Sequence, residues 1–222
     1  MFIKNFTRSF ASHNPKGISV LLSLTMLFSF SGSYGQSFNL QQLLKEGKLI
    51  SSHLVTPLGD NGKAGVSSEG IVWLKNVNFS TGTIEIDLRG KDIMQQSFLG
   101  VAFHGVDTIT YDAIYFRPFN FRSSDPVRKI HAVQYISEPE FPWDRLREEK
   151  NGIYEKGIDP PPAAVEWFHA RIVVDDSTIN VYVNNSATPS LTVNKLNNRK
   201  NGLIGLWSDG VNGEFANMVI KK

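Results

Sequence analysis

Apolar and polar positions alternate with a period of two along most of the chain. The segments 83–89 (TIEIDLR), 97–104 (SFLGVAFH), 167–174 (WFHARIVV) and Thr178–Val183 (TINVYV) are short, β-branched and aromatic. Turn residues separate them, as expected of half-buried strands. The same criteria predict strands at 49–55, 70–74, 113–117, 131–136, 190–193, 203–207 and 214–220. Only 40–45 and 143–150 read as helical; Pro142 precedes the second and Gly152 soon follows it. About eleven short strands with almost no helix predict an all-β, two-sheet antiparallel sandwich of jelly-roll type. Residues 137–166 interrupt the strands with five prolines and form one long Pro-rich insertion. An ordered loop of that length is either functional or a cover for a sheet edge.

The pattern is most informative over 97–122 (SFLGVAFHGVDTITYDAIYFRPFNFR). Strict alternation places Ser97, Leu99, Val101 and Phe103 on the core face. Phe98, Gly100, Ala102 and His104 fall on the other face, which is small in its middle and ends in a histidine. Tyr115 and Arg117 share a face of the next strand, followed by Asn120, and Gln134 lies one strand further on. Aromatic rings suit the C–H faces of sugars, while Arg, Asn, Gln and His suit their hydroxyls. The set His104, Tyr115, Arg117, Asn120 and Gln134 therefore predicts a carbohydrate groove, with Trp143 of the insertion as a stacking platform at its rim. Arginine, a rigid fork of donors, suits a uronate, a sulfate or a vicinal hydroxyl pair. The competing reading is a buried polar network in which Arg117 pairs with Asp112 or Asp107.

Composition narrows the setting. The chain has 222 residues, 41% of them hydrophobic, which suffices for one sizeable core. Lys4, Arg8 and Lys16 precede the apolar run 18–30, and small residues follow it. This pattern predicts a signal peptide over 1–36, a mature domain over 37–222, and a secreted or periplasmic location. The run is shorter than the roughly 20 residues a membrane span needs. Setting 1–36 aside removes three positive charges and no negative one, so the formal net charge goes from +2 to −1. No basic patch then argues for nucleic acid, and no membrane partner is expected after cleavage. The chain has no cysteine, which excludes disulfides, thiolate chemistry and a lipid-modified N-terminal cysteine.

The carboxylates and tryptophans offer other chemistry. Glu85 and Asp87 share a strand face about 6.7 Å apart in Cα position, a spacing from which an acid and a base or nucleophile could act on a glycoside. Asp112 is a further acid/base candidate. Trp73, Trp167 and Trp207 sit in strand patterns and read as core. No cofactor is expected, although Asp209, Asn212 and Glu214 offer oxygens for a structural calcium.

Taken together, GTIEIDLRG, FLGVAFHG, YDAIYFRPFNFR, VQYIS, WFHARIVV, VYVNN and GLIGLW resemble the concanavalin A-like lectin/glucanase superfamily. The resemblance is nearest to its secreted bacterial laminin-G-like and 3-keto-disaccharide-hydrolase-like members and covers residues 79–222. It implies a jelly-roll sandwich whose concave face binds carbohydrate. Laminarinase-like glucanases of the superfamily carry E-x-D-x-x-E or E-x-D-x-E on a concave strand. Here Glu85 and Asp87 match the first two acids, and the third is absent. Three functions are compatible with the resemblance: a carbohydrate-binding domain, a glycoside hydrolase, and a laminin-G-like interaction module.

Overall fold

The computed structural model describes residues 35–59 and 63–222. The expected leader over 1–36 lies outside them, save for Gly35 and Gln36, which open strand β1 (Gly35–Phe38). Helix α1 (Leu40–Lys45) follows, its N-terminus capped by the Asn39 side chain. Where one strand is expected over 49–55, two short ones form, β2 (Leu49–Ile50) and β3 (Val55–Pro57). Then come β4 (Val66–Phe79), β5 (Gly82–Arg89), β6 (Ser97–Gly105) and β7 (Tyr111–Phe116). A 3-10 turn (Pro118–Asn120) and helix α2 (Pro126–Lys129) lead to β8 (Val133–Glu138). The insertion carries α3 (Trp143–Glu149) and β9 (Glu155–Lys156). The chain closes with β10 (Phe168–Val174), β11 (Thr178–Val183), β12 (Leu191–Asn194) and β13 (Gly202–Lys221).

All pairings among these strands are antiparallel, and β13 belongs to two sheets. Its first half, Leu203–Ser208, lies between β4 and β6. This sheet continues through β7 and β8 to β9, with β2 on the far side of β4. The second half, from Glu214, pairs with β5, and that sheet continues through β10 and β11 to β12. Strands β1 and β3 complete it. The corner between the halves is a register shift between Ser208 and Gly213, with Gly210 at φ 86°. The fold is therefore the predicted two-sheet sandwich, with one continuous strand in place of the two expected over 203–220.

Alternation fills the space between the sheets. Leu99, Val101, Phe103, Ile114, Phe116, Val133 and Tyr135 come from the first sheet. They meet Ile84, Ile86, Leu88, Ile172, Val174 and Val181 from the second, all buried. A second apolar cluster covers the opposite face of the first sheet, with Trp73, Ala102, Tyr111, Ala113, Tyr115 and Ile136 at its heart. The first sheet is thus covered on both faces, and the candidate site forms on the outer one.

Gly100 has a stricter role than leaving space. A Cβ there would lie 2.0 Å from the Ile114 carbonyl oxygen and 2.6 Å from the Tyr115 Cα. Backbone on both counts cannot yield. Gly100→Val is expected to lower stability by about 2–3 kcal/mol through forced separation of β6 and β7, read as a lower urea midpoint. An unchanged midpoint would show that the two strands separate at no cost.

Candidate functional site

The outer face of the first sheet carries a groove of about 870 Å³. Its floor is aromatic because of the strand period. Ile204 and Leu206 are buried in the core, so Trp207 points the other way, opposite Gly100 on β6. The Trp207 ring meets Tyr115 at 4.9 Å, and its Nε1 donates to the Tyr111 hydroxyl at 3.2 Å. Tyr111 and Tyr115 both come from β7, four residues apart and therefore on one face. Phe98 packs edge-on to Tyr115 and Phe119, so the floor has ring faces and ring edges. The insertion supplies one rim: Leu146 of α3 is buried in the outer cluster, which leaves Trp143 half exposed at the groove edge.

A polar network closes one corner. Arg117 is only 4% exposed. Its guanidinium donates to the Tyr115 hydroxyl, to Gln134 Oε1 and to the His131 carbonyl, and lies 4.8 Å from the Tyr115 ring centre. Asn120 donates to the same carbonyl at 3.0 Å and accepts from Arg128 Nε at 3.3 Å. Glu155 receives a bidentate pair from Arg147, at 3.1 and 2.8 Å, and lies 2.8 Å from His131 Nδ1 and 3.6 Å from Arg117. Burial alone would raise the Glu155 pKa. The hydrogen bonds and charge of Arg147, with His131 and Arg117, outweigh it and hold the carboxyl below its usual value. Burial lowers the Arg117 pKa and raises that of Tyr115.

Two other carboxylates reach the groove, Glu138 beside Tyr111 across β7 and β8, and Asp209 on β13. Burial, together with the nearby Asp144, raises the Glu138 pKa.

Of the sequence-predicted residues, Tyr115, Arg117, Asn120 and Trp143 line this groove, and Gln134 lies beneath it, bonded to the first two. His104 does not join them. One extra residue of β6 forms a bulge against β13, with His104 at φ 50°, and the bulge breaks the alternation that put it on the groove face. The ring stacks on Phe79 of the core instead, and its Nε2 lies 2.6 Å from the Ser80 carbonyl.

Asp112 also faces the interior, which removes it as an acid/base candidate. Its Oδ2 lies 3.1 Å from His104 Nδ1, while Oδ1 accepts from Tyr135, Asn197 and Arg199. The polar-network reading thus holds for Asp112, but its cationic partner is Arg199 and not Arg117. Glu85 and Asp87 do share a face as expected, but it is the outer face of the second sheet, away from the groove. There Glu85 pairs with Lys221, and Asp87 with Lys63, His169 and Asn217. Two of the candidate calcium ligands have other surroundings. Asp209 lines the groove, whereas Glu214 pairs with Arg89. Among the described residues no group of three or more acidic or histidine side chains is placed to hold a metal.

Trp207, which its strand pattern assigns to the core, forms the groove floor instead. The signal was present: in GLIGLW, alternation with Ile204 and Leu206 inside puts Trp207 outside. Tyr111 follows from Tyr115 by the same period. Arg128, His131, Arg147 and Glu155 sit in irregular segments or in the insertion, where no period marks a face.

This architecture is the concanavalin A-like jelly roll, and solved structures share it. A carbohydrate-binding module, CBM66, from Bacillus subtilis superposes with a TM-score of 0.55 at 12% identity, over 78% of this chain and 95% of its own. A Bacillus subtilis protein of unknown function with a galectin-like fold gives 0.58 at 12% identity, over 84% and 94% of the two chains. No protein-family model and no curated protein sequence matches the chain.

The Asp112 network makes a stability prediction. Burial would raise the Asp112 pKa, but the bond from His104 and the charge of Arg199 outweigh it and hold it low. A pKa lower in the folded than in the unfolded state adds stability above about pH 4, which is lost as the pH falls through the folded value. Asp112→Asn is expected to cost about 3 kcal/mol at neutral pH, because it leaves Arg199 uncompensated. It is also expected to flatten the acid limb of stability in urea titrations below about pH 4. An unaltered acid limb would show that Asp112 does not set it.

Proposed function

We propose that this protein is a secreted or periplasmic carbohydrate-binding β-sandwich that holds a glycan in the groove over Trp207, Tyr111 and Tyr115. The observation that carries this reading is the pairing, in one groove, of an aromatic floor with the fixed polar groups of Arg117 and Asn120. Sugars need both surfaces, and binding sites commonly combine apolar walls with a few oriented polar groups. The fold is one that serves carbohydrate binding in CBM66, and the basic leader with its apolar run supports export. An interaction-module reading, by contrast, expects no groove.

A glycan array followed by calorimetry on the chain tests the proposal. At least one glycan class is expected to bind, and Trp207→Ala is expected to weaken it about tenfold or more, with the far-UV circular dichroism unchanged. Absence of any bound glycan, or full affinity in a folded Trp207→Ala chain, overturns the reading.

One observation favours a hydrolytic role as a second reading. Glu138 is a half-buried groove carboxyl whose pKa is raised, the property of a general acid. If the chain cleaves glycosides, Glu138→Gln should slow cleavage of oligosaccharides by about a hundredfold or more. No cleavage of any substrate in the panel removes this reading.

A further inference from the structure

We propose that the corner formed by Arg117, Arg128 and Arg147 reads an acidic group on the ligand, so that the groove takes a glycan bearing a carboxylate or a sulfate. This rests on the glycan reading of the groove and adds a substrate class to it. Two guanidiniums, Arg117 and Arg147, share the one carboxylate at this corner, Glu155, and a third, Arg128, joins the network through Asn120. Glu155 is committed mainly to Arg147, which grips it with two nitrogens. Arg117 lies 3.6 Å from it, and its remaining contacts are to neutral oxygens. Among the described residues, the side chain of Arg128, which lines the groove, donates to the Asn120 side-chain oxygen and the Phe119 carbonyl, at 3.3 and 3.1 Å. Neutral acceptors satisfy N–H groups but not charge. Arg117, excluded from water, needs a counter-anion, and the half-buried Arg128 opens onto the groove beside it.

Gln134 points to the same chemistry. Its amide orientation is fixed, because Arg117 has no acceptor and so must donate to Oε1. The Nε2 donor is then buried without a hydrogen-bond partner among the described residues. Such a donor is costly and uncommon. It lies in the same network as two undercompensated cations, and an oxyanion is the ligand chemistry that suits all three.

The other groove carboxylates do not neutralise the corner. Glu138 lies four residues along β8 from Gln134, about 13 Å away, and Asp209 lies two strands from β7, about 10 Å away. Their placement makes the groove electrically lopsided. The ligand therefore carries its charge at one end, with neutral sugar over the Trp207 floor.

Calorimetry with matched oligosaccharides tests this. One arm compares glycans ending in a single uronate with their carboxyl-reduced forms; the other compares monosulfated glycans with their desulfated forms. The acidic member of at least one pair is expected to bind about tenfold or more tightly and to weaken as salt rises. The arm that shows the difference identifies the anion. Arg128→Gln, which orphans no carboxylate, is expected to abolish that preference, so that the two members of the pair bind this variant equally. Equal affinity within both pairs overturns the anion proposal and leaves the glycan reading standing. A retained preference in Arg128→Gln overturns the assignment to this corner, and no binding by any member overturns both.

Discussion

Strand β13 exchanges backbone hydrogen bonds with β4 and β6 over its first half and with β5 over its second. The two sheets are therefore not independent layers pressed together by their side chains. They share a covalent axis, and its register sets the register of both. This axis sends Ile204 and Leu206 into the core and Trp207 onto the groove floor. Close approach is the condition for it: a Cβ on Gly205 would meet the Val72 carbonyl at 2.2 Å. Glycine is thus required where three strands crowd together, and the same crowding brings Trp207 over Gly100 and against Tyr115.

Two charged networks lie on opposite faces of the first sheet and serve different ends. On the core face Asp112 is saturated by Tyr135, Asn197, Arg199 and His104. It anchors the loop after β12 to the interior. At the groove corner the guanidiniums outnumber the single carboxylate, Glu155, and an amide donor is left over. Each network keeps one buried donor without a hydrogen-bond partner among the described residues, Arg199 Nε on the core face and Gln134 Nε2 on the groove face, so what separates them is charge: Asp112 is matched by Arg199, whereas the groove corner gathers more guanidiniums than carboxylates.

The fold was legible in the chain because period-two alternation is what a sandwich requires of its strands. The alternation at Ile84, Ile86 and Leu88 correctly predicts their burial and the sharing of one face by Glu85 and Asp87. It carries no information on which sheet that face belongs to, because long-range pairing decides this. Alternation also fails at a bulge, where a single extra residue carried His104 from the predicted groove to the core. Tyr115, Arg117 and Asn120 were readable from one continuous stretch. Glu155 was not, since it enters from a two-residue strand inside the insertion and acquires its role only by pairing with Gln134.

The mooring of the insertion bears on how the groove meets its occupant. Arg147 on α3 and Glu155 on β9 are eight residues apart in one segment, and their bidentate pair ties the helix that carries Trp143 to the strand that flanks Gln134. The rim is thus preorganised. Little conformational entropy remains to be lost when the groove is filled, so more of the contact energy is left to appear as affinity. A deletion that separates Arg147 from Glu155 would therefore uncouple the aromatic rim from the polar floor.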